Sequence, residues 1–463
     1  MKDRQTRNRR ILIAIIPFTL ILSAASFLPS TAAGAEPALI LTLAEALDMA
    51  REKHKDILKA QEYRRLVEGR YVEERADALP QFLISSSISR SRDESLKAYG
   101  ADFSSDQRTR AADLGLSQAL FTFGKVGAAI RAAKFGIASA DEQLRLFRQA
   151  ALRDTTAIFY DILLAGELRA LALQNLEQKN RHFDEVQKKF IMGVVTDYDV
   201  LAARVAVDNA RPEVIRAENL VRITREKLSF LLGLGGRSIE VRGNLETEAA
   251  PYPNFDKTVA VARNNRPDVA DMGHRIKMAG ELVTIAAAGD KPRLDLKADW
   301  GWRDLSLENG QAEGQTWMAG LYLTYPIFDG LRTRGKVSQA KSDMATLKIE
   351  EAKLMDTVLL QTREAVDAVR EAGEIVEALS ATTVQADRLL VMAEKAYELG
   401  VKTKLDVDDA ALNRTQARGN LARARRDYLV ALATMQWVTG TIGEVEKPAL
   451  MQTNGAAKAS LDK

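Results

Sequence analysis

The 463-residue sequence contains no cysteine and only three histidines, and these absences exclude several kinds of site. Without cysteine the chain has no disulfide, no thiolate metal site, no cysteine nucleophile and no N-terminal lipid attachment point. The histidines, His54, His182 and His274, lie far apart in sequence without ligand-like spacing, so we expect none of them to bind a metal. The sequence also has no phosphate-binding glycine loop and no nucleophile elbow, and it therefore predicts neither an enzyme nor a cofactor.

Long apolar runs are also scarce, and the longest one lies at the N-terminus. It covers residues 11–28, follows an Arg-rich segment at 1–10 and precedes a small-residue cleavage site at Ala33, Gly34 and Ala35. We therefore expect residues 1–35 to be a cleaved signal peptide, the alternative being a retained membrane anchor. No later run approaches the length of a transmembrane helix, so any membrane insertion would require strands.

Charge of one sign is not in excess. The chain has 66 Lys and Arg against 63 Asp and Glu, a formal net charge of +3. Residues 1–10 hold five of the basic residues and one acid, so the remaining chain carries 61 basic and 62 acidic side chains. This balance gives no indication of a nucleic-acid partner.

The rest of the sequence is an internal duplication. Residues 130–233 align with residues 337–440 at a constant offset, which places Gly193 on Gly400, and a slightly larger offset aligns the segments upstream. Shared glycine, proline and aspartate positions are not expected of two unrelated helical segments, so the sequence predicts two structural repeats and a polar tail that we expect to be disordered. The predicted boundaries are 36–245, 246–440 and 441–463.

Each repeat changes its hydrophobic period in the same order, from a helix to two strands to a helical hairpin. Thr42 and Glu45 have the spacing of a capping box at the start of the first helix. In the second repeat, apolar residues from Leu294 to Trp302 alternate with charged or small ones, as in a strand with one apolar face. The predicted elements are helix 42–78, strands 81–92 and 110–121 and hairpin 124–232, then helix 255–290, strands 294–307 and 315–328 and hairpin 330–438.

The hairpins have the pattern of long, slender coiled coils. Residues 124–192 and 330–399 contain no proline and little glycine, which predicts helices on the order of 100 Å long. The short arms carry apolar residues, many of them alanine, at alternating steps of three and four. Pro212 lies inside the first short arm and Gly419 at the same repeat position in the second, so we expect a bend or interruption at both. Such hairpins bury too little surface to stand alone, which predicts an oligomer.

Two interpretations fit these elements. The first is a soluble periplasmic coiled-coil adaptor or scaffold. The second is a channel in which several chains pool their strands into one barrel, with the apolar face toward lipid and the charged face toward a water-filled lumen, because four strands are too few to close a barrel. Trp300, Trp302 and Trp317, with Tyr322 and Tyr325, suit an interfacial aromatic girdle, the alternative being the core of a sandwich.

In their order and duplication, these elements resemble those of the TolC-type outer-membrane efflux proteins. The residues that carry the resemblance are the strand-to-helix segment 323–330, its weaker copy at 116–121 and the hairpin turns at Gly193 and Gly400. The resemblance implies a mainly α-helical chain with a membrane β-barrel portion, in which a homotrimer forms one twelve-stranded barrel and a tunnel of helices. It implies a place in the outer membrane of a Gram-negative bacterium, with the tunnel extending into the periplasm. It further implies partners for efflux or type I secretion: a periplasmic adaptor (membrane fusion) protein and an inner-membrane transporter of the RND, ABC or MFS type.

The resemblance also implies roles for residues at the hairpin tips. Asp406 and Asp409 match two aspartates that line the family's periplasmic entrance, where copies from each subunit would form a cation-selective ring. The alternative is that they only stabilise a helix N-terminus. Asp199, Tyr397 and Lys402 match the positions that hold the entrance closed, with a lysine where the family has arginine.

Overall fold

The computed structural model describes residues 39–93, 105–247, 252–307 and 310–443. The predicted signal peptide and residues 444–463 of the predicted tail lie outside these ranges. Within the described residues most of the chain is helical, and the remainder includes four long and two short strands. In this part of the chain no helix combines the length and the apolar character needed to cross a membrane.

The first repeat runs from a short strand through two helices and a strand pair to a helical hairpin. Its elements are β1 (Leu39–Leu41), α1 (Leu43–Lys53), α2 (Lys55–Ala76), β2 (Gln81–Asp93), β3 (Ser105–Phe121), α3 (Lys125–Ile191), α4 (Asp197–Leu231) and β4 (Ile239–Val241). The second repeat follows the same order. Its elements are α5 (Phe255–Asn265), α6 (Pro267–Ala287), a 3-10 turn (Ala288–Asp290), β5 (Arg293–Leu307), β6 (Gly310–Thr324), α7 (Arg332–Glu398) and α8 (Lys404–Val438).

The first helix of each repeat is broken, which corrects the predicted single helices at 42–78 and 255–290. His54 separates α1 from α2 with an extended backbone, and its ring Nδ1 accepts a hydrogen bond from Asp56 N at 3.2 Å. Arg266 has the same conformation between α5 and α6, directly before Pro267. A residue that precedes proline disfavours the helical conformation, which explains the second break. The predicted capping box of Thr42 and Glu45 is confirmed.

The four long strands form one antiparallel sheet in the order β2-β3-β5-β6. The last strand ends at Thr324, so the predicted strand 315–328 is placed too late in the chain. Pro326, which has no backbone donor, follows shortly after that end. The two short strands were not predicted: β1 and β4 pair in parallel, and Leu41 and Ile239 contribute to a buried cluster with α1, α3 and α4.

The two hairpins pack as antiparallel coiled coils, α3 with α4 and α7 with α8. Both α3 and α7 have 67 residues, which corresponds to about 100 Å of helix. The predicted alanine-rich seams are largely buried in the short arms α4 and α8. The buried seam residues are Ala203, Val207, Ala210, Val214, Ala217, Thr224 and Leu228 in α4, and Val407, Ala410, Ala417, Leu421, Ala424, Tyr428 and Val438 in α8.

The prediction of a bend or interruption at Pro212 and Gly419 is wrong as to an interruption, because α4 and α8 each run as one 35-residue helix through these positions. A bend at either position stays a prediction. Pro212 is exposed, so the carbonyl that loses its intrahelical donor is close to solvent rather than enclosed. Gly419 is buried, and a Cβ at this position would lie 3.8–3.9 Å from Leu168 and Leu171 of α3, which is ordinary contact. Packing against long neighbouring helices therefore outweighs the local weakness of both residues.

The first residues of the predicted tail are packed rather than disordered. Ile442 is 7% exposed, and Arg51 donates to the carbonyl of Gly443 at 3.2 Å. Thr441 N donates to Gln436 O at 2.9 Å and so continues the C-terminal cap of α8. The prediction for the tail is therefore corrected at 441–443, while residues 444–463 lie outside the described residues.

Candidate functional site

The two hairpin tips share one backbone design, in which a glycine follows the long helix. Gly193 has φ +73° after α3, and Gly400 has φ +72° after α7. Gly193 N donates to Phe190 O at 2.9 Å, and Gly400 N donates to Tyr397 O at the same distance. A positive φ strains any residue that carries a Cβ, which explains the glycine in both turns.

The short arm of each hairpin begins with a capping box formed by a threonine and an aspartate. At the first tip, the amide and hydroxyl of Thr196 donate to Asp199 Oδ2 at 2.9 and 2.7 Å. At the second tip, the amide and hydroxyl of Thr403 donate to Asp406 Oδ2 at 2.8 and 2.7 Å. Two of the predicted site residues, Asp199 and Asp406, therefore stabilise helix N-termini within their own hairpins.

Asp406 also contacts the predicted lysine. Lys402 Nζ lies 3.1 Å from Asp406 Oδ1. The Thr403 hydroxyl, the Thr403 amide and then Lys402 lower the pKa of the Asp406 carboxyl from 3.8 to about 2. The carboxylate therefore stays ionised at any physiological pH. The structure thus brings two residues of the predicted site together within one chain.

The other predicted tip residues do not join this contact. Tyr397 and Asp409 have exposed side chains, and neither forms a side-chain hydrogen bond to another described residue. Asp199 lies on the other hairpin, where its carboxylate accepts hydrogen bonds from Thr196. Any closing contact among these residues would therefore have to come from another copy of the chain or from a different arrangement of the hairpins.

A polar cluster between the two hairpins was not predicted. Near the tips, Lys179 Nζ of α3 lies 3.1 Å from Asp408 Oδ1 of α8, and Lys404 Nζ approaches the same oxygen at 3.6 Å. His182 lies beside this pair, where burial and the positive charge of Lys404 lower its pKa. The spacing of Lys404 and Asp408 can be seen in the sequence, whereas Lys179 on α3 is separated from Asp408 by 229 residues, about half of the chain. Here α3 contacts α8, so the cluster joins one hairpin to the other.

The sheet divides into two unlike faces, which the strand register defines. Trp300 lies directly opposite Trp317, and Leu114 of β3 lies opposite Trp300 on its other side. Directly opposed residues project to the same side of a sheet, so these side chains share one face with Trp302. The half of that face nearer the helices is mainly apolar and exposed, whereas charged residues such as Arg110 and Glu313 lie further out. The exposed large apolar side chains of the face include Phe82, Ile84, Ile88, Leu114, Trp300, Trp302, Trp317, Leu321 and Leu323.

The other face carries the charged side chains of the sheet's base, together with the exposed apolar side chains of Leu83 and Met318. It carries Asp295, Lys297 and Asp299, which alternate with the apolar side chains of β5. Tyr322 is the partner of Asp295 in the register, and Lys297 Nζ lies 5.3 Å from the centre of its ring. Tyr322 is therefore not part of the predicted aromatic girdle, because it projects from the face opposite to Trp300.

Within the described ranges, no group of three or more His, Cys, Asp or Glu side chains is placed to hold a metal ion. Clefts lie between helices and at the base of the sheet, and their linings range from paired charges, such as Arg169 and Glu218, to mainly apolar side chains, such as Ile158, Ile223 and Phe230. One of about 650 Å³ lies where the strands meet the helices and includes Asp295 and Lys297. The candidate functional surfaces of the described chain are the hairpin tips and the two faces of the sheet.

Comparison with known proteins agrees with this architecture. The family model described as outer membrane efflux protein matches residues 46–234 and 259–441. Outer membrane protein TolC of Escherichia coli is 24% identical over 357 residues, covering 73% of this chain and 71% of that protein. Alkaline protease secretion protein AprF of Pseudomonas aeruginosa is 25% identical over 388 residues, covering 80% of this chain and 79% of the other.

A solved structure shares the fold. The Campylobacter jejuni CmeC outer membrane channel superimposes with a TM-score of 0.76 at 19% sequence identity, covering 86% of this chain and 85% of that one. The family match falls once on each repeat and spans most of the chain. The chain therefore belongs to the outer membrane efflux protein family and is an outer-membrane channel that serves efflux or secretion.

Proposed function

We propose that three copies of this chain close one barrel of twelve strands, to which each copy contributes β2, β3, β5 and β6. A sheet of four strands cannot close on itself, and among the described residues its outer strands β2 and β6 each have a neighbour on one side only. Unpaired backbone groups are very costly in hydrocarbon, and edge-to-edge assembly pairs them. In such a ring β6 of one copy lies antiparallel to β2 of the next.

The division of the sheet into faces is the observation that carries this proposal. The exposed apolar face, with Trp300 opposite Trp317, would contact lipid, and the face with Asp295, Lys297 and Asp299 would line a water-filled lumen. A soluble scaffold would gain nothing from exposing so many large apolar side chains on strands of 15 residues. Trp300, Trp302 and Trp317 then serve as an interfacial girdle.

The helical hairpins form the periplasmic part of the same conduit. Helices α3 and α7 are long enough to extend far below the membrane, and alanine-rich seams let each hairpin pack closely while burying little surface. The remaining faces of each hairpin are then free to pack against hairpins of neighbouring copies. Three chains would together supply six hairpins around one central space.

The tips of the second hairpins form the periplasmic entrance in this proposal. Asp406 and Asp409 lie one turn apart on α8, and copies from three subunits would converge into an acidic ring that favours cations. The low pKa of Asp406 keeps its charge in place, and its role in the capping box fixes its position. Asp199, Tyr397 and Lys402 would hold the entrance closed through contacts between hairpins.

The conduit would be the exit duct of a larger assembly that includes a periplasmic adaptor and an inner-membrane transporter. Support comes from the family, whose description is outer membrane efflux protein, and from AprF, whose name assigns it to the secretion of alkaline protease. The chain supplies no chemistry of its own in this role. The transporter would supply the energy and choose the substrate.

The experiment that tests this function is ion conduction by the purified protein in planar lipid bilayers. We expect trimeric particles in detergent, steady conductance and cation selectivity. The double variant Asp406→Ala/Asp409→Ala should lose most of that selectivity, because the charges of the proposed entrance ring are removed. A matched control is Asp256→Ala, which removes a first-turn aspartate from α5, far from the tips.

Two outcomes would count against the proposal. Unchanged selectivity in the double variant would remove Asp406 and Asp409 from the entrance. A mature protein that stays soluble without detergent and never conducts would instead support a periplasmic coiled-coil adaptor or scaffold.

A further inference from the structure

Within one copy of the chain the two hairpins meet where α3 packs against α8. Because α3 also packs against α4, and α8 against α7, the helices follow one another in the order α4, α3, α8 and α7. Polar contacts join α3 to α8 along this junction. They are Lys179 to Asp408 at 3.1 Å, Asp161 to Arg426 at 2.6 Å, and the Arg153 guanidinium to the centre of the Trp437 ring at 4.3 Å. The order leaves α4 and α7 at its two ends.

The internal duplication indicates what these two ends contact. The offset that places Gly193 on Gly400 also places α3 on α7 and α4 on α8. Applied to the junction of α3 with α8, it generates an equivalent junction of α7 with α4. Because α7 and α4 lie at opposite ends of one copy, this α4 belongs to the next copy. Contacts repeated head to tail close into a ring when the rotation between units allows it, and repeat units need neighbours to bury their apolar surface.

The equivalent positions on α4 and α7 carry large apolar side chains that one copy leaves uncovered. Trp437 corresponds to Phe230, which is 71% exposed, and its partner Arg153 corresponds to Leu360, which is 59% exposed. Phe230 also lines an apolar groove with Ile223 between α3 and α4. A position that contacts a helix in one repeat is thus apolar and open to solvent in the other, which indicates a surface that another chain covers.

The same correspondence holds nearer the tips. Asp408 corresponds to Leu201 on α4, which is 61% exposed. His182, which lies beside Asp408, corresponds to Leu389 on α7, and that leucine is also exposed. The chain therefore presents both halves of an apolar contact, one on each end helix and at matching heights. A second copy of the chain is the occupant that fits both halves in one register.

The charges of the junction within a copy are not repeated. Ala368 stands at the position equivalent to Asp161, and Asn219 at the position equivalent to Arg426. Both Ala368 and Asn219 are exposed in one copy. A contact of α7 with α4 is therefore neutral where the contact of α3 with α8 has an ion pair.

We propose that α4 of each copy packs against α7 of the next copy in the register that the repeat offset defines, with Phe230 against Leu360 and Asn219 beside Ala368. The inference rests on the proposed trimer and specifies which helix surfaces meet in it. The tunnel then has two kinds of junction, charged within a copy and apolar between copies. Salt weakens the first kind, whereas the second depends on the burial of apolar surface.

The first test is crosslinking of the intact trimer in detergent, where introduced cysteines are the only thiols. With a flexible bifunctional thiol reagent, Asn219→Cys/Ala368→Cys should give covalent dimers and trimers on denaturing gels. Asp161→Cys/Arg426→Cys is the matched control, because it occupies the equivalent positions within one copy. It should lose its free thiols and remain a monomer. Asn219→Cys/Leu389→Cys moves one thiol about 30 Å along α7 and should give no covalent oligomer.

The second test transfers the ion pair to the junction between copies. Asn219→Arg alone and Ala368→Asp alone each place an unpaired charge there, and each trimer should dissociate about fivefold faster in denaturant than the wild type. The double variant Asn219→Arg/Ala368→Asp should return to within about twofold of the wild-type rate, because the two charges then meet across the junction. Both positions are exposed in one copy, so the fold of the monomer is expected to tolerate the changes.

The third test is the rate at which a small maleimide labels single cysteines in the trimer. Phe230→Cys should be labelled at least about tenfold more slowly than Leu412→Cys, and the two should react equally after unfolding. Leu412 is a suitable control because it stays exposed on α8 although α8 already has both of its neighbours within the copy. Equal labelling in the folded trimer would leave α4 open to a periplasmic partner and would contradict the proposal.

Two further results would overturn the inference. One is a purely monomeric product from Asn219→Cys/Ala368→Cys under conditions in which Asp161→Cys/Arg426→Cys reacts fully. The other is a double charge variant that dissociates as fast as the product of the two single effects. Bilayer conductance of the same preparations separates this inference from the proposed function. A conducting trimer with either result contradicts the register alone, whereas a protein that forms no trimer and does not conduct contradicts the channel.

Discussion

At the residue scale, two glycines follow the short arms of the hairpins, Gly233 after α4 and Gly440 after α8. Each of them lies against the break between the first two helices of its own repeat. Gly233 packs against the Lys53 carbonyl and Gly440 against that of Asn265, and both have positive φ. A Cβ at residue 440 would lie 2.6 Å from Asn265 O, whereas a Cβ at Gly400 would meet nothing within 4 Å. Comparison of these positions therefore separates the cost of backbone strain from the cost of steric contact.

We predict that Gly440→Ala destabilises the protein more than Gly400→Ala does. The change at 400 should lower the free energy of unfolding by about 1–2 kcal/mol through its positive φ alone. The change at 440 should lower it by about 3 kcal/mol or more, because overpacking against backbone is added to the same strain. Loss of helical circular dichroism with denaturant, in detergent, measures both. Equal losses of stability in the two variants would show that the backbone around Asn265 moves to accommodate the added methyl group at little cost.

Residue contacts at the tips were only partly predictable from sequence. The capping-box spacing that identified Thr42 and Glu45 also occurs at Thr196 and Thr403, because such a contact spans three residues and depends on local geometry. The contact between Lys179 and Asp408 could not be predicted from such a short-range spacing. It depends on which faces of α3 and α8 meet, and that is decided by packing of the whole hairpins.

At the element scale, the continuity of α4 through Pro212 leads to a prediction. We expect Pro212→Ala to raise the free energy of unfolding by about 1–3 kcal/mol, since alanine restores a backbone hydrogen bond and removes the ring's clash with the preceding turn, while the unfolded chain gains some freedom. The side chain is exposed, so no packing is lost. Denaturant unfolding in detergent measures the gain.

Gly419→Ala is a matched comparison at the same repeat position of α8. Its Cβ would lie 3.6–3.9 Å from Arg423, Leu168 and Leu171, which is ordinary contact, so a gain of about 1 kcal/mol is expected from helix propensity. A loss of stability in Pro212→Ala would mean that α4 needs the distortion that proline imposes.

The helices and strands show which parts of the fold the sequence could predict. Long heptads identified the hairpins, because repeated burial on one side leaves a periodic signal. The breaks at His54 and Arg266 were missed, since the surrounding apolar pattern continues across them and only one residue changes conformation. Strands β1 and β4 were missed because three residues are too few to show a period.

The contact between α3 and α8 should depend on pH through His182. Burial and Lys404 lower the pKa of His182 below its ordinary 6.5, so the folded protein favours the neutral ring. The stability that the neutral His182 ring contributes is therefore fully present above pH 6.5. It is lost as the pH falls through the lower pKa that His182 has in the folded protein. A protonated ring would also face Lys179 and Lys404, with Asp408 and Glu185 opposing that repulsion.

We therefore predict faster hydrogen exchange at the start of α8 at about pH 5.5 than at about pH 7.5, after correction for intrinsic rates. His182→Gln keeps a polar side chain that does not titrate, and it should remove this difference. Asp408→Asn breaks the ion pair with Lys179 and should raise exchange at both pH values. A pH dependence that survives in His182→Gln would assign the effect to another group.

At the scale of the whole molecule, the two repeats share their cores but differ at their surfaces. Thr155 and Thr362 occupy equivalent positions in α3 and α7, and both are fully buried. The strand pairs have diverged instead: counted from Pro80 and Pro292, Arg90 of the first repeat corresponds to Trp302 of the second. Duplication thus explains the hairpins and the sheet, while equivalent positions of the two strand pairs carry different side chains.

The absence of cysteine allows a direct test of the proposed barrel, since any disulfide must come from introduced residues. Strand β2 of one copy should lie beside β6 of the next, so we predict that Ser87→Cys forms an intersubunit disulfide with a cysteine at one position of a series on β6. The series is Gly314, Thr316 and Met318, which project from the same face as Ser87.

Oxidation should convert the correctly matched double variant into covalent dimers and trimers on denaturing gels, because a disulfide needs Cβ atoms about 4 Å apart. Single variants should stay monomeric under the same conditions. A double variant with Thr109→Cys on the interior strand β3 in place of Ser87→Cys should also stay monomeric, because β5 separates β3 from β6 within the sheet. If every member of the series yields only monomer while the protein still conducts in bilayers, the edges of the sheet meet in some other order than β6 to β2.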